Sequence, residues 1–280
     1  MELLALRQRI IEGRASRQEL LRLFQAAESL FFEETLVLQA TVDDLDLRDF
    51  DRFCRMFIGE SAVDDQQLLK NWRLLKERDG EYHPTLAAIL LFGREPQLFL
   101  PYAYVTAARI LGRDTAGEPV DVKRIDGPLF RMHEDTYRFL KIHLLTPHRI
   151  VGFEPEAFPE LPETALRETV ANALVHRDYT IAAPIRVFVL DDRVEIRSPG
   201  GLPNTVTVER AKSGMAHVLR NAQIYTAFYR AGLVTDTGNG IRRVIRAVEK
   251  ATGKEPEIRD EGAELVVVLP RNPTIAGEAG

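Results

Sequence analysis

The sequence contains a single cysteine, Cys54, and it lacks any long apolar run. One cysteine excludes an intramolecular disulfide, which is the usual situation in a reducing compartment. A membrane-spanning helix needs about 20 consecutive apolar residues, and no stretch of this sequence approaches that length. The first residues also lack the pattern of a secretory signal. We therefore expect a cytoplasmic protein without a membrane partner.

Metal-binding and P-loop signatures are also missing. The six histidines are scattered, and none has the spacing to cysteine that a structural zinc site requires. The sequence has no G-x-x-x-x-G-K-[ST] motif, which excludes a motor of the usual P-loop class. The formal net charge is -5, whereas a dedicated nucleic-acid binder usually carries a basic domain. Strong DNA binding by this chain is therefore not expected.

The stretch 165–179 has the pattern of an amphipathic helix. Leu166, Val170 and Leu174 recur at helical spacing and predict one buried stripe. Glu168 and Asn172 are four residues apart, so they share one face of this helix. The amide oxygen of Asn172 can ligate a hard divalent cation, and the carboxylate of Glu168 can hold a water molecule as a general base. A solvated polar face without chemistry is the alternative interpretation.

The segment after this helix also has a distinctive order. Its parts are two strand-like runs (184–190 and 193–197), a glycine turn (198–201), a polar segment to about 236, a helix opened by Thr-Gly-Asn-Gly-Ile (237–241) and an apolar strand (263–269). Exposed amides at the start of a helix favour an anion such as a phosphate. The order therefore adds a candidate anion site to the helix at 165–179.

This order resembles the GHKL ATPase fold of gyrase, histidine kinase and MutL. In that fold a helix carries an E-x-x-x-N motif, and a strand ends in a glycine turn beside the adenine. A mobile lid follows, and a G-x-G sequence opens a helix over the phosphates. The resemblance implies an α/β (α+β) domain, a two-layer sandwich with helices on one face of a mixed sheet. It also implies ATP and Mg²⁺ as ligands.

A more specific resemblance covers nearly the whole chain. The phrases that carry it are HRDY (176–179), DRVEIRSPGGLP (192–203), TGNGIRR (237–243), LLFGREPQLFLP (90–101) and ASRQELLRLF (15–24). They are similar to bacterial RecG-related ATP-dependent DNA helicases and Schlafen AlbA-type transcriptional regulators. That family has an AlbA-type DNA-binding domain upstream. The resemblance therefore implies that DNA is contacted only through flanking domains.

The resemblance assigns candidate site residues along these motifs. Glu168 is the candidate catalytic residue, and Asn172 is the candidate ligand of both metal and nucleotide. The other candidate nucleotide-binding residues are Arg177, Ser198, Gly200, Gly201, Arg220, Asn221, Gly238 and Gly240. Ser198 departs from the family pattern, because the GHKL motif has an aspartate there that accepts a hydrogen bond from the adenine amino group. Serine is shorter and uncharged.

The N-terminal half predicts several further elements. They are helices at 1–13, 17–24, 47–58, 64–78 and 127–145, and buried strands at 86–92 and 102–111. Four prolines between 146 and 162 predict an irregular linker. We therefore expect four parts: a helical remnant of an AlbA-type domain (1–60), a small α/β middle region (61–150), the ATPase-like domain (160–270) and a flexible tail (271–280).

Two functions of different classes fit this sequence. The first is an ATP-binding module of a cytoplasmic, DNA-associated regulator, with Mg²⁺-dependent hydrolysis at Glu168. The second is a non-enzymatic scaffold or dimerisation module, descended from the ATPase fold, that positions flanking DNA-binding domains. Glu168 and Asn172 favour the first function, whereas Ser198 favours the second. A homodimer is compatible with both.

Overall fold

The computed structural model of this chain describes residues 31–59, 63–146, 148–151, 154–157, 159–203, 206–214, 218–235 and 239–271. The helices predicted for 1–13 and 17–24 and the candidate residue Gly238 lie outside the described residues. So does the predicted tail apart from Arg271. Within the described residues, no helix combines the length and the apolar composition needed to cross a membrane.

Helices and strands alternate along most of the described chain. The helices are α1 (Leu47–Phe57), α2 (Asp65–Asn71), α3 (Leu86–Phe92), α4 (Pro96–Phe99), α5 (Leu129–His143), α6 (Glu163–Val175), α7 (Val208–Lys212), α8 (Ala222–Arg230) and α9 (Gly240–Thr252). The strands are β1 (Leu75–Arg78), β2 (Glu81–Pro84), β3 (Val105–Ile110), β4 (Pro119–Ile125), β5 (His148–Val151), β6 (Glu154–Ala157), β7 (Ile185–Val189), β8 (Arg193–Pro199), β9 (Glu257–Asp260) and β10 (Glu264–Pro270).

Six strands form one mixed sheet in the order β4-β3-β7-β8-β10-β9. The neighbours β3 and β7 are parallel, and every other neighbouring pair in this sheet is antiparallel. A parallel pair needs a long crossover connection, and α5 and α6 lie in the connection between β3 and β7. The strands β1 and β2 form one separate hairpin, and β5 and β6 form another.

The register of the sheet aligns apolar side chains of neighbouring strands on one face. Ile196 is opposite Val187 on one side and Val267 on the other. Because successive side chains of a strand alternate between faces, these three share a face. Helices α5, α6 and α9 pack on that side, against β3, β8 and β10 respectively. The fold is therefore a two-layer sandwich of helices on a mixed sheet, as the sequence predicts.

The helix α6 confirms the prediction for 165–179 with slightly earlier ends. Pro162 precedes its first turn, where a missing N–H costs no helical hydrogen bond. Glu163 lies in that turn, where its negative charge interacts favourably with the positive end of the helix dipole. Leu166, Val170 and Leu174 are buried, as their spacing predicts. The cavity described below borders this helix.

Two of the predicted elements are wrong. The run 86–92, predicted as a strand, is the helix α3, whose start is capped because Thr85 Oγ1 accepts the N–H of Ala88 at 3.3 Å. All seven of its residues are buried, so no polar face reveals the helical period. The helix predicted for 64–78 ends at Asn71, and its last residues form β1.

The proline-rich segment 146–162 is more regular than predicted. It contains the hairpin of β5 and β6 instead of an irregular linker. The main sheet also includes strands from both sides of this segment, since β3 and β4 precede it and β7 to β10 follow it. The sheet therefore crosses the expected domain boundary, and the four-part division stays a prediction.

Candidate functional site

A cavity of about 150 Å³ lies where α6, the end of β8 and the start of α9 meet. The candidate residues that line it are Glu168, Asn172, Ser198, Gly200, Gly201, Arg220 and Gly240. They belong to motifs that are far apart in the sequence. The fold therefore brings most of the candidate residues to one cavity, without assigning a role to any of them.

Glu168 and Asn172 lie on adjacent turns of α6. The Nδ2 atom of Asn172 donates a hydrogen bond to Oε1 of Glu168 at 3.3 Å. Because the amide nitrogen faces the carboxylate, the amide oxygen of Asn172 is left for another partner. Glu168 is only 5% exposed. A solvated polar face therefore does not account for this pair.

Burial disfavours the ionised form of the Glu168 carboxyl group. Burial raises the pKa of this carboxyl group above its usual range, whereas the Arg243 guanidinium and the Asn172 amide oppose the increase. The Nη2 atom of Arg243 is 3.9 Å from Oε2, and its side chain is largely exposed. Solvent weakens such an ion pair. A carboxyl group with a raised pKa is well suited to act as a general base near neutral pH.

Gly240 opens α9 directly against this carboxylate. A Cβ atom at this position would overlap Oε1 of Glu168 and would lie 3.0 Å from its Cδ. Only glycine lets the start of the helix approach so closely. The N-terminus of α9 therefore lies beside the Glu168 carboxylate, where its dipole favours negative charge. We call Glu168, Asn172 and Gly240, together with Thr235 described below, the polar cluster.

The glycine turn after β8 forms another wall of the cavity. Gly200 has a φ of +94°, and a Cβ atom on it would lie 2.6 Å from Cβ of Asp178. The N–H groups of Gly200 and Gly201 donate to the carbonyls of Ala263 and Gly262 at 2.7 and 3.0 Å. These bonds hold the turn against the residues just before the start of β10. Glycine at 200 is therefore required by both conformation and space.

Arg220 connects the end of α6 to this turn. Its Nη1 atom donates to the carbonyl of His176 at 2.9 Å, and Nη2 donates to the carbonyl of Gly201 at 2.8 Å. Nη1 would also lie 2.7 Å from a Cβ atom on Gly200. The guanidinium thus holds two parts of the cavity wall together and places a positive charge beside the cavity.

Ser198 is buried at the end of β8, where it lines the cavity. Its Oγ atom donates to the carbonyl of Ala173 in α6 at 2.9 Å. The hydroxyl proton is therefore used within the protein, and only the oxygen lone pairs remain for a ligand. Ser198 can accept a hydrogen bond there, but it offers no charge.

Arg177 does not line the cavity. Its side chain is 1% exposed, and Nη2 donates to the carbonyls of Tyr102, Ile181 and Ala183 at 3.2, 3.3 and 2.6 Å. The guanidinium also lies 4.7 Å from the centre of the Tyr179 ring. Burial lowers the pKa of this group. In this structure Arg177 therefore stabilises the loop after α6, and its contact with a nucleotide stays a prediction.

Asn221 is likewise buried outside the cavity lining. Its Nδ2 atom donates to the carbonyls of Val175 and Arg177, both at 2.8 Å. These carbonyls lie at the end of α6, and Asn221 precedes α8. In this structure the side chain joins the end of α6 to the start of α8, and its nucleotide contact stays a prediction.

Thr235 is a cavity residue that the sequence did not indicate. Its Oγ1 atom is buried, has no hydrogen-bond partner among the described residues, and lies 3.5 Å from the position of a Cβ atom on Gly240. The hydroxyl of Tyr225 donates to the carbonyl of Thr235 at 3.0 Å and so fixes its backbone. Its position shortly before the segment 237–240 is the only sequence signal that could have identified it.

The rest of the cavity lining is mainly apolar. Representative side chains from the sheet, α9 and the segments after β8 are Ile196, Leu202, Val206, Ile245, Ile258 and Leu265. An apolar cavity of about 150 Å³ admits a ring of the size of benzene. The cavity therefore combines an apolar lining with the polar cluster, which is typical of small-molecule sites.

Residues 182–269 match the model of a family described as "Putative ATP-dependent DNA helicase recG C-terminal". The matched region begins after α6 and contains β7 to β10 and α7 to α9. This part of the chain therefore matches a RecG-related, ATPase-like domain. The comparison with curated proteins gave no match.

Solved structures of 21 chains match this chain. One is the crystal structure of the DIP2311 protein from Corynebacterium diphtheriae, with a TM-score of 0.68 and 22% sequence identity. The match covers 90% of this chain and 50% of that protein's chain. The present chain thus spans about half the length of this solved structure. At this identity the likeness shows the fold alone.

Proposed function

We propose that the RecG-related, ATPase-like domain of this chain binds ATP with Mg²⁺ in the cavity between α6 and α9, and that it hydrolyses the nucleotide. The observation that carries the proposal is the polar cluster. Glu168, Asn172 and Thr235 surround the start of α9, where Gly240 has no side chain. A helix N-terminus without a side chain in front of it is a favourable site for phosphate.

The polar cluster fits a nucleotide-bound Mg²⁺ ion. The described residues contain no cluster of three or more His, Cys, Asp or Glu side chains that could hold a metal by themselves. Mg²⁺ in nucleotide sites usually takes only one or two protein ligands, and phosphates and water supply the others. The amide oxygen of Asn172 is a suitable ligand of this kind. The Thr235 hydroxyl, which has no partner in the described part of the chain, would gain a hydrogen bond from the same group of oxygens.

The apolar lining fits the nucleobase. Flat bases gain most from apolar surfaces on both sides and from a few polar contacts that fix their orientation. Ser198 Oγ is the side-chain acceptor at the position where the resembled ATPases have aspartate. Since its proton is donated to Ala173, Ser198 would accept one neutral hydrogen bond. We therefore expect weaker nucleotide affinity than an aspartate would give.

In the proposed hydrolysis, Glu168 removes a proton from the attacking water molecule. Burial raises the pKa of Glu168, which strengthens it as a base, and the Asn172 amide orients its Oε1 atom. Mg²⁺, when bound, would compensate charge on the phosphate oxygens. The backbone at the start of α9 adds the positive end of a helix dipole near the same position.

We place this activity in a cytoplasmic, DNA-associated regulator of bacterial origin. The name of the matched family, which refers to a DNA helicase, supports the association with DNA. The net charge of -5 favours DNA contact through other domains.

A non-enzymatic scaffold is the second candidate function. Ser198 is the observation that favours it. A hydroxyl whose proton is already donated within the protein is a weak substitute for a carboxylate that hydrogen-bonds to the adenine. In a scaffold the cavity would remain without nucleotide, and the fold would serve to position neighbouring domains. Nucleotide binding separates the two functions directly.

Isothermal titration calorimetry with Mg-ATP tests the proposal. We expect the wild type to bind and Asn172→Ala to bind more weakly, because a metal ligand is lost. Thr235→Val should weaken binding about 10- to 100-fold, since a hydrogen bond to a charged group contributes about 1.5–3 kcal/mol. Thr226→Val is the matched control, because it removes an exposed hydroxyl of α8. A wild type that does not bind millimolar Mg-ATP would support the scaffold instead.

A further inference from the structure

The strand β4 forms an exposed edge of the main sheet. Among the described strands it pairs only with β3, so its other edge offers unpaired backbone N–H and C=O groups. Its first six residues are exposed, and only Ile125 is buried. Val120 and Val122 are 59% and 56% exposed. A long edge strand with exposed apolar side chains is a surface that readily adds another strand.

The charges of β4 are arranged symmetrically about its centre. Val122 is the middle residue of Pro119–Ile125, and Asp121 and Lys123 flank it. Asp121 accepts a hydrogen bond from His143 of α5 at 2.8 Å but remains about half exposed. Lys123 has no ion-pair partner within the described part of the chain. Opposite charges thus stand at equal distances on either side of one central residue.

We propose that a second copy of this chain pairs antiparallel along β4, so that one sheet runs through both copies. The two-fold axis would pass through Val122. In this register the whole strand overlaps with its copy, and Val122 faces the partner copy's Val122. Asp121 of each copy then lies opposite Lys123 of the other, on the same face of the sheet.

Other registers are electrostatically worse. A two-fold pairing must place one residue opposite its own copy, because only then do paired side chains share a face. Centring the pair on Asp121 opposes two carboxylates, and centring it on Lys123 opposes two ammonium groups. Like charges directly opposite each other destabilise a strand pair. Centring on Val122 gives two attractive pairs and the longest overlap.

Apolar side chains near β4 would enlarge this interface. The contact between His143 and Asp121 brings the end of α5 beside the middle of the strand. Ile142 and Leu145, which lie within two residues of His143 in sequence, are 70% and 42% exposed. Pairing along one strand alone buries less than the 1,200–2,000 Å² or so of a stable interface. We therefore expect a reversible dimer whose population depends on concentration.

Charge reversal tests the register. Sedimentation velocity over a concentration series should give a dimer dissociation constant for the wild type. Lys123→Asp and Asp121→Lys should each raise that constant about tenfold, because each turns two attractive pairs into repulsive ones. The double variant Asp121→Lys/Lys123→Asp should restore the dimer. Since it still lacks the contact between Asp121 and His143, restoration cannot come from that contact.

Cysteine cross-linking gives a second test. Val122→Cys should form a disulfide-linked dimer in mild oxidant, because the two thiols face each other across the axis. Val120→Cys is the matched control, since in this register it faces Arg124 of the partner copy. The native Cys54 is buried, and burial raises its pKa to about 11, so its background reactivity is low.

Several outcomes would overturn the proposal. They are a monomer at every concentration, a dimer that the single charge reversals do not weaken, a double variant that fails to recover, or equal cross-linking at 120 and 122. None of these experiments uses nucleotide. A failure of the dimer proposal would therefore leave the proposed ATP site untouched, and the reverse also holds.

Discussion

Glu168 is the residue on which the proposed hydrolysis depends, and its surroundings make it sensitive to pH. It is buried beside the start of α9, and burial raises the pKa of its carboxyl group. The ionised form is the one that can accept a proton from water. The hydrolysis rate should therefore fall as the pH falls through this raised pKa, and the loss should begin at a higher pH than for an ordinary glutamate.

Substitution of Glu168 should separate catalysis from binding. Glu168→Gln preserves the size of the side chain and removes the base, so we expect hydrolysis to fall by roughly 10²–10⁴-fold with little change in nucleotide affinity. A phosphate-release assay across pH, combined with calorimetry, measures both quantities. Glu163→Gln is the control, because Glu163 is an exposed carboxylate on the first turn of the same helix. An unchanged rate in Glu168→Gln would exclude Glu168 as the base.

The Glu168 carboxylate leaves no room for a side chain at position 240. In Gly240→Ala the added methyl group would overlap the Glu168 carboxylate, so we expect a loss of about 1–3 kcal/mol in the free energy of unfolding. Glu168→Ala should relieve most of this penalty in the double variant, because the clashing atoms are removed. Urea unfolding of the two single variants and the double variant gives the coupling energy. Additive losses would show that the carboxylate is not the obstacle.

At this scale the sequence predicts local pairs better than distant contacts. Glu168 and Asn172 share a helix, so their spacing alone is enough to place them together. The positions of Arg177 and Asn221 outside the cavity lining could not be predicted, because their short motifs do not show which way a side chain faces after the chain turns. Thr235 was missed because its place in the cavity depends on how α6, α8 and α9 pack together. No local sequence pattern shows that packing.

The helix α8 illustrates a contact at the element scale that no local pattern could reveal. Asn221 precedes the helix, but its side chain does not cap it and instead bonds to carbonyls at the end of α6. Glu33, which is distant in the sequence, caps the start of α8 instead. Its carboxylate accepts the N–H groups of Gln223 and Ile224 at 2.6 and 2.9 Å.

Glu33 should make stability depend on pH. Burial raises its pKa from 4.5 to about 8, although the two N–H groups of α8 oppose the increase. The native state then binds more protons than the unfolded state between these values, so this contribution to stability is complete below about pH 4.5 and is lost as the pH rises to about 8. We expect Glu33→Gln to flatten this part of the profile in urea unfolding experiments.

The neighbouring Glu34 provides the matched control for this experiment. It pairs with Lys76 at 2.7 Å and is partly exposed, and its charge is a smaller cause of the raised pKa of Glu33 than burial. Glu34→Gln should therefore reduce the slope between pH 4.5 and 8 much less than Glu33→Gln does. A slope that persists in Glu33→Gln would assign the effect to other groups.

Elements were predicted well where one face is polar and poorly where none is. In β7 buried side chains alternate with partly buried ones, and α6 was found from the helical spacing of its apolar residues Leu166, Val170 and Leu174. In α3 every residue is buried, and a short apolar run without a polar face fits a strand as well as a helix. The six-stranded sheet could not be predicted either, because the pairing of β3 with β7 joins segments about 80 residues apart.

The whole molecule is held together across the proline-rich segment 146–162. Glu160 and Arg271 form a buried ion pair, and Arg271 also donates to the carbonyl of Leu190. Glu160 accepts the N–H of Leu145 at 2.6 Å, so the same group connects the end of α5 to the end of the sheet. A boundary in this segment would therefore cut a buried network as well as the sheet.

The fragment 160–271 tests whether the ATPase-like part is an independent domain. Removing residues 31–159 deletes β3, the parallel neighbour of β7, and α5, which packs on α6. It also removes buried partners such as Leu129, Phe139 and Leu140, and each fully buried side chain of this kind contributes about 1.5–3 kcal/mol. The sum rivals the 5–15 kcal/mol or so by which most domains are stable. We therefore expect 31–271 to unfold cooperatively on heating, and 160–271 to show no cooperative transition in circular dichroism. A cooperative transition of 160–271 near that of 31–271 would instead support the boundary predicted from the prolines, because the sheet would then be stable without its first two strands.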